Sequence, residues 1–274
     1  MKNFNFKYLL IAVVTIILAT ILPTFIVQHY LQNELLGVII QIIILTISVF
    51  VFGQKKVFAF SFKSFFETFV VGGALTIATA YYLITRLFKG ILEAGTSAID
   101  RNLMIGFLIS MFLMAGIREE LLTRGFLCTF LRKTFGNTKA SYIAAITISS
   151  IYFGSIHLGN LKSGNDPEAI YSQVIYAIGF GFFIGALYIR TGNLWANMIL
   201  HYLFDISLMF GPFVIEHMDL STQLGDVIKS WLGEGILIKS IIFTVACFAL
   251  ELFLLRDSKL NPILEAAERE EMAA

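Results

Sequence analysis

LMIGFLISMFLMAGIREELLTRGFLCTFL, residues 103–131, is an apolar run of 29 residues with a charged patch at its centre: Arg118, Glu119, Glu120 and Arg124. About 20 apolar residues cross a bilayer as a helix, so this stretch reads as a transmembrane span interrupted by charge. An ionised side chain at mid-membrane costs about 2.5–3.5 kcal/mol; something must offset three of them. Glu120 and Arg124 are one helical turn apart, acid first, and are expected to pair on one face. Glu119 points about 100° away, without that partner; Thr123, one turn on, is its expected hydrogen-bond donor. An unpaired carboxylate in apolar surroundings is the better general base. The same charges also fit the cytoplasmic end of a shorter span, where charge is common.

Similar runs recur on both sides. Residues 8–27, 35–52, 65–88, 140–158, 170–189, 194–213 and 236–255 bring the expected number of spans to about eight, all helical. The composition has room for them: eight spans take about 160 positions, and 57% of 274 residues is apolar, with only 14% charged. A chain this poor in charge and with 27 Phe is neither an ordinary soluble domain nor disordered. Its net charge of +1 gives no electrostatic case for a nucleic-acid partner. Starting from a cytoplasmic N-terminus, alternation puts fourteen of the twenty Lys and Arg on or towards the inside, so the expected topology is N-in and C-in. The first run reads as a retained span rather than a signal peptide. No soluble domain is expected: residues 1–274 form one integral membrane domain, with a charged cytoplasmic tail at 262–274. The segment KKVFAFSFKSFF, residues 55–66, suits a headgroup boundary. No broken-helix pairing of the transporter kind is read. Cys128 and Cys247 lack metal or disulfide spacing and read as buried apolar residues.

Two apolar spans carry histidine, a residue rare inside membranes. In the fifth, Phe153 precedes His157 by one turn; in the seventh, Asn197, His201 and Asp205 form a stripe at i, i+4 and i+8. Asp205 is expected to hold one nitrogen of His201 and leave the other for a ligand. Each feature alone also fits packing between helices. Together, a glutamate pair and two histidine helices supply a base, a second proton-transfer group and oxyanion donors, the kit for amide hydrolysis by an activated water. Counted along ideal helices, the three motifs agree in depth only to about a third of the bilayer, which asks for a tall cavity or a turn within the membrane near residues 136–140. His29 and His217 fall at span boundaries and read as aqueous or headgroup contacts.

At these residues the chain resembles the CPBP family of intramembrane proteases, which includes the CAAX prenyl endopeptidases and bacterial relatives. Glu119, Glu120 and Arg124 match its Glu-Glu-x-x-x-Arg motif, Phe153 and His157 its Phe-x-x-x-His motif, and His201 and Asp205 its His-x-x-x-Asn/Asp motif. The resemblance covers the core at 103–210. It implies an endopeptidase that cuts a membrane-associated or lipidated peptide near the cytoplasmic side. Glu119 and His157 would activate a water, His201 and Asp205 would stabilise the oxyanion or orient the site, and Glu120, Arg124, Phe153 and Asn197 would be positioning groups. An ionised Asp205 cannot donate as an amide can, so it either carries a proton or orients His201. No metal cofactor is favoured; Zn²⁺ held by Glu119, His157 and His201 is the alternative. The implied location is the cell membrane, the plasma membrane in a bacterium. Two other functions share the pattern: a non-proteolytic role in bacteriocin immunity or as a signalling scaffold, and a proton-coupled transporter.

Overall fold

The structure is a computed structural model and describes residues 4–23, 33–85, 92, 101–163, 166–210 and 233–273. Among these residues it is all-helical. The helices are α1 (Phe6–Pro23), α2 (Glu34–Val51), α3 (Phe62–Val71), α4 (Gly73–Leu83), α5 (Arg101–Met111), α6 (Thr129–Phe135), α7 (Lys139–Ile156), α8 (Pro167–Thr191), α9 (Leu194–Phe210), α10 (Ile236–Leu254) and α11 (Asp257–Ala273). Short 3₁₀ turns occupy Lys55–Phe58 and His157–Ser163. Two π-helical stretches, Phe112–Glu119 and Leu121–Cys128, carry the chain from α5 into α6.

Four helical segments are long and apolar enough to cross a membrane: Glu34–Val51, Lys139–Leu161, Pro167–Thr191 and Ile236–Leu254. Counting α3 and α4 as one span makes five, and Phe6–Ile21 and Leu194–Phe210 are shorter apolar helices. The chain is a membrane protein, but by length and composition its described helices give four or five spans rather than the eight expected. The main departure is at 65–88, where one straight span was expected and the chain instead bends by 83° between α3 and α4. Hydropathy runs unbroken across the bend, yet Gly72-Gly73 supplies the hinge, with Gly73 at φ +22°. The Thr76 hydroxyl donates to the Phe69 carbonyl at 2.8 Å, replacing a helical bond lost there. α3 is capped by Ser61, which accepts from Ser64 N. It exposes Phe62, Phe66 and Val70 along one side, as an interfacial helix next to Lys55, Lys56 and Lys63 would. Residues 24–27, 86–88 and 211–213 of the expected spans, the expected loop at 216–234 except for its last two residues, His29 and His217 lie outside the described residues.

α8 is the axis of the bundle. It starts with Asp166 as N-cap and Pro167 in its first turn, ends on Gly192 in the left-handed region, and buries most of its 25 residues between α7 and α10. Small residues permit this closeness. A Cβ on Gly179 would come within 2.6 Å of the Thr244 backbone in α10, and one on Gly154 of α7 within 2.6 Å of the Val174 carbonyl in α8. Thr244 also donates to the Ile175 carbonyl at 2.6 Å. Cys128 and Cys247 are buried free thiols.

Cross-links gather one end of the bundle. Asn5 N donates to the Thr134 carbonyl at 2.8 Å, and Asn137 to the Leu264 carbonyl at 2.7 Å. Lys139 pairs with Asp257 at 2.6 Å, Thr68 bonds Thr191 at 2.9 Å, and Trp195 donates to the Phe58 carbonyl at 3.1 Å. The start of α1, the turn after α2, the α6–α7 turn, the α8–α9 turn and the start of α11 therefore share that end. Lys7, Lys56, Arg132, Lys139, Arg190 and Arg256 lie on these segments.

Candidate active site

The site begins with the unusual helix between α5 and α6. A π turn closes i→i+5 through the backbone and is frequent at functional sites; where the second stretch ends, the Thr129 hydroxyl adds a side-chain bond to the Arg124 carbonyl at 3.0 Å. A wider turn brings successive side chains closer in angle. Glu119 and Glu120, expected to point to separate partners, both reach His201 of α9. Glu120 Oε1 is 2.8 Å from Nδ1, and Glu119 Oε2 is 3.9 Å from Nε2.

Glu120 is locked. Its Oε1 accepts from Arg124 Nη1 at 2.7 Å, as the i, i+4 spacing predicts, and both side chains are wholly buried. Arg124 also donates to the Thr123 hydroxyl at 2.8 Å and to the Gly181 carbonyl of α8 at 3.2 Å, and it lies over the Phe153 ring at 5.1 Å. One guanidinium thus ties three helices, which offsets the cost of burying it. Glu119 has a different partner from the one expected. The Thr123 hydroxyl goes to the Glu119 backbone carbonyl at 2.6 Å, and the carboxylate accepts instead from the adjacent Arg118 at 2.7 Å.

His157 stands at the C-cap of α7. Its Nδ1 faces the Gln173 amide nitrogen of α8 at 3.3 Å, and Asn160 donates to Gln173 Oε1 at 3.0 Å. With its oxygen so occupied, Gln173 turns its NH₂ towards His157, so Nδ1 accepts and Nε2 carries the proton. Sequence reasoning missed Gln173 altogether. Its only signal was a buried amide in an apolar span, and its partner is on another helix. Phe153 packs edge-on to both imidazoles, with centroids 5.4 Å from His157 and 5.7 Å from His201.

On His201 the expected roles are rearranged. Glu120, not Asp205, takes Nδ1; Asp205 Oδ2 lies 3.7 Å from Nε2, beyond a direct hydrogen bond. Nε2 thus faces Glu119 and Asp205 together. Asn197 points elsewhere: its amide donates to the Ile184 carbonyl at 2.9 Å and joins α9 to α8.

Glu119, Phe153, His157, His201 and Asp205 line one cavity of about 440 Å³, with Gln173 and Tyr176 beside them. The turn at Gly136, φ +89°, belongs to the end with Asn5 and Leu264. Among the described residues no group of three or more His, Cys, Asp and Glu is placed to hold a metal ion.

Residues 101–207 match the family described as Type II CAAX prenyl endopeptidase Rce1-like. The match runs from the first residue of α5 into α9 and takes in both glutamates, Arg124, both histidines and Asp205. Comparison with curated proteins gives no match.

Proposed function

We propose that the protein is an intramembrane endopeptidase that hydrolyses a peptide bond in a membrane-associated or lipidated peptide. The observation that carries this reading is the single cavity in which Glu119, His157, His201 and Asp205 meet. A water there donates to Glu119 and accepts from His157 Nε2–H, which leaves a lone pair for the carbonyl carbon. Glu119 takes the proton as the C–O bond forms, and later passes it to the departing amine as the C–N bond breaks. His201, held through Nδ1 by Glu120, turns Nε2 towards the developing oxyanion; as an imidazolium it donates from both nitrogens at once. Asp205 orients that nitrogen or, carrying a proton, adds a second donor. Glu120, Arg124 and Phe153 fix the two histidines. The mechanism is of the glutamate/histidine type, with no step through a metal.

The protein is further proposed to lie in the cell membrane with about eight crossings and both termini inside. The common end shared by the start of α1 and the start of α11 supports this arrangement. The test is cleavage of a peptide library by purified protein in lipid vesicles, read by mass spectrometry. Glu119→Gln and His157→Ala should abolish cleavage while leaving the protein folded; full activity in both would end the mechanism.

A further inference from the structure

We propose that Tyr176 is a further catalytic residue of this site, its phenol O–H donating to the oxyanion alongside His201 Nε2. The inference rests on the endopeptidase reading and adds to it a donor that keeps its own proton throughout.

Tyr176 stands on α8 between the two residues that brace the histidines. Gln173, three positions earlier, meets His157, and Phe180, four positions later, packs on the His201 ring at 4.8 Å. Steps of three and four share one helix face. At about 1.5 Å per residue, Tyr176 lies about 4.5 Å along the axis from the first brace and about 6 Å from the second. All three residues line the cavity with Glu119, His157, His201 and Asp205.

The ring is fixed from its own helix and from two others. The Phe180 and Phe204 centroids are each 6.5 Å from its own and that of Phe243 is 5.6 Å away, while Phe180 and Phe204 stack on each other at 4.9 Å. A phenol held in this way is a preorganised donor.

The hydroxyl is uncommitted. A buried tyrosine usually finds a partner for its O–H, yet among the described residues that of Tyr176 has none, and it is not one of the polar atoms closed off inside the protein. Its neighbours on the cavity wall are engaged: Gln173 with Asn160 and His157, Glu119 with Arg118, and His201 Nδ1 with Glu120. The two carboxylates whose charge acts on the phenol are Asp205 and Glu119. These same two lie 3.7 Å and 3.9 Å from His201 Nε2. The phenol and Nε2 therefore border the same space, the place for a carbonyl oxygen under attack.

A second donor is what that space lacks. An ionised Asp205 only accepts, so it is left to orient His201, whereas a phenol donates across the neutral range. No bond to Tyr176 forms or breaks. Its hydrogen bond strengthens as the carbonyl oxygen gains charge and relaxes when the C–N bond breaks.

Tyr176→Phe keeps the ring and removes only the hydroxyl. With a peptide that the native-sequence protein cleaves in lipid vesicles, the variant should lower kcat about 100-fold, the usual loss for one oxyanion donor, while KM and the melting temperature stay in place. An unchanged kcat, or a rise in KM alone, overturns the role and leaves the endopeptidase reading intact. If the native-sequence protein cleaves no peptide, that reading falls and the role falls with it. A second measurement holds even if the variant fails to fold: a difluorotyrosine at position 176 has nearly the same shape and a more acidic phenol. It should move the alkaline limb of the kcat–pH profile to lower pH, and a profile that stays in place overturns the proposal.

Discussion

Arg124–Glu120 and Arg118–Glu119 are both ion pairs of 2.7 Å on one continuous helix, yet their surroundings differ sharply. The side chains of the first are 1% and 0% exposed, those of the second 21% and 10%. Arg124 has further partners in Thr123, Gly181 and Phe153, whereas Glu119 faces the cavity. A dry pair whose guanidinium is held by several neighbours serves as a joint; a pair at the edge of a cavity can open and free its carboxylate. Adjacent residues of identical chemistry are thus divided between the packed joint and the cavity wall.

The largest expected effect comes from breaking the joint. Arg124→Leu leaves Glu120 buried without its cation, a loss of about 3–5 kcal/mol, and should show as a collapse in thermal stability and folded yield. A stable Arg124→Leu protein would remove the distinction between the two pairs. A middle-sized effect is expected at Gln173, which sits outside both pairs and acts only through His157. Gln173→Leu deletes its part-buried bonds to Asn160 and His157; the His157 bond, about 1 kcal/mol, should lower the turnover rate roughly fivefold while KM holds. Gln173→Glu, which can accept from Nδ1 but not donate to it, should shift the pH–rate profile; a merely structural glutamine would leave that profile in place. The smallest effect belongs to Arg118→Ala. A partly exposed pair contributes about 0–1 kcal/mol, so the melting temperature should barely move, and a large drop would show that the edge pair is as structural as the buried one.

The sequence carries the buried pair plainly, because Glu120 and Arg124 are neighbours through helical periodicity alone. It also brings out Glu119, His157, His201 and Asp205 as rare polar groups in apolar runs, and the structure draws these into one cavity. Three things were hidden for physical reasons. The π turns change the angular step between residues, so a 100° wheel misplaces Glu119 relative to Glu120. The Gln173–His157 contact joins different helices and depends on packing. The bend at Gly72-Gly73 leaves hydropathy untouched, because an interfacial helix and a crossing helix can be equally apolar. Glu251 was overlooked as well: it lies in α10 and is fully buried.

The central claim is that Glu119 activates water for peptide hydrolysis, and it is met most directly by comparing membrane peptidomes of cells carrying the native-sequence protein or Glu119→Gln at equal folded abundance. The account predicts that a defined set of new peptide termini is present with the former and missing with the latter. Identical peptidomes, each retaining that set of termini, would contradict it.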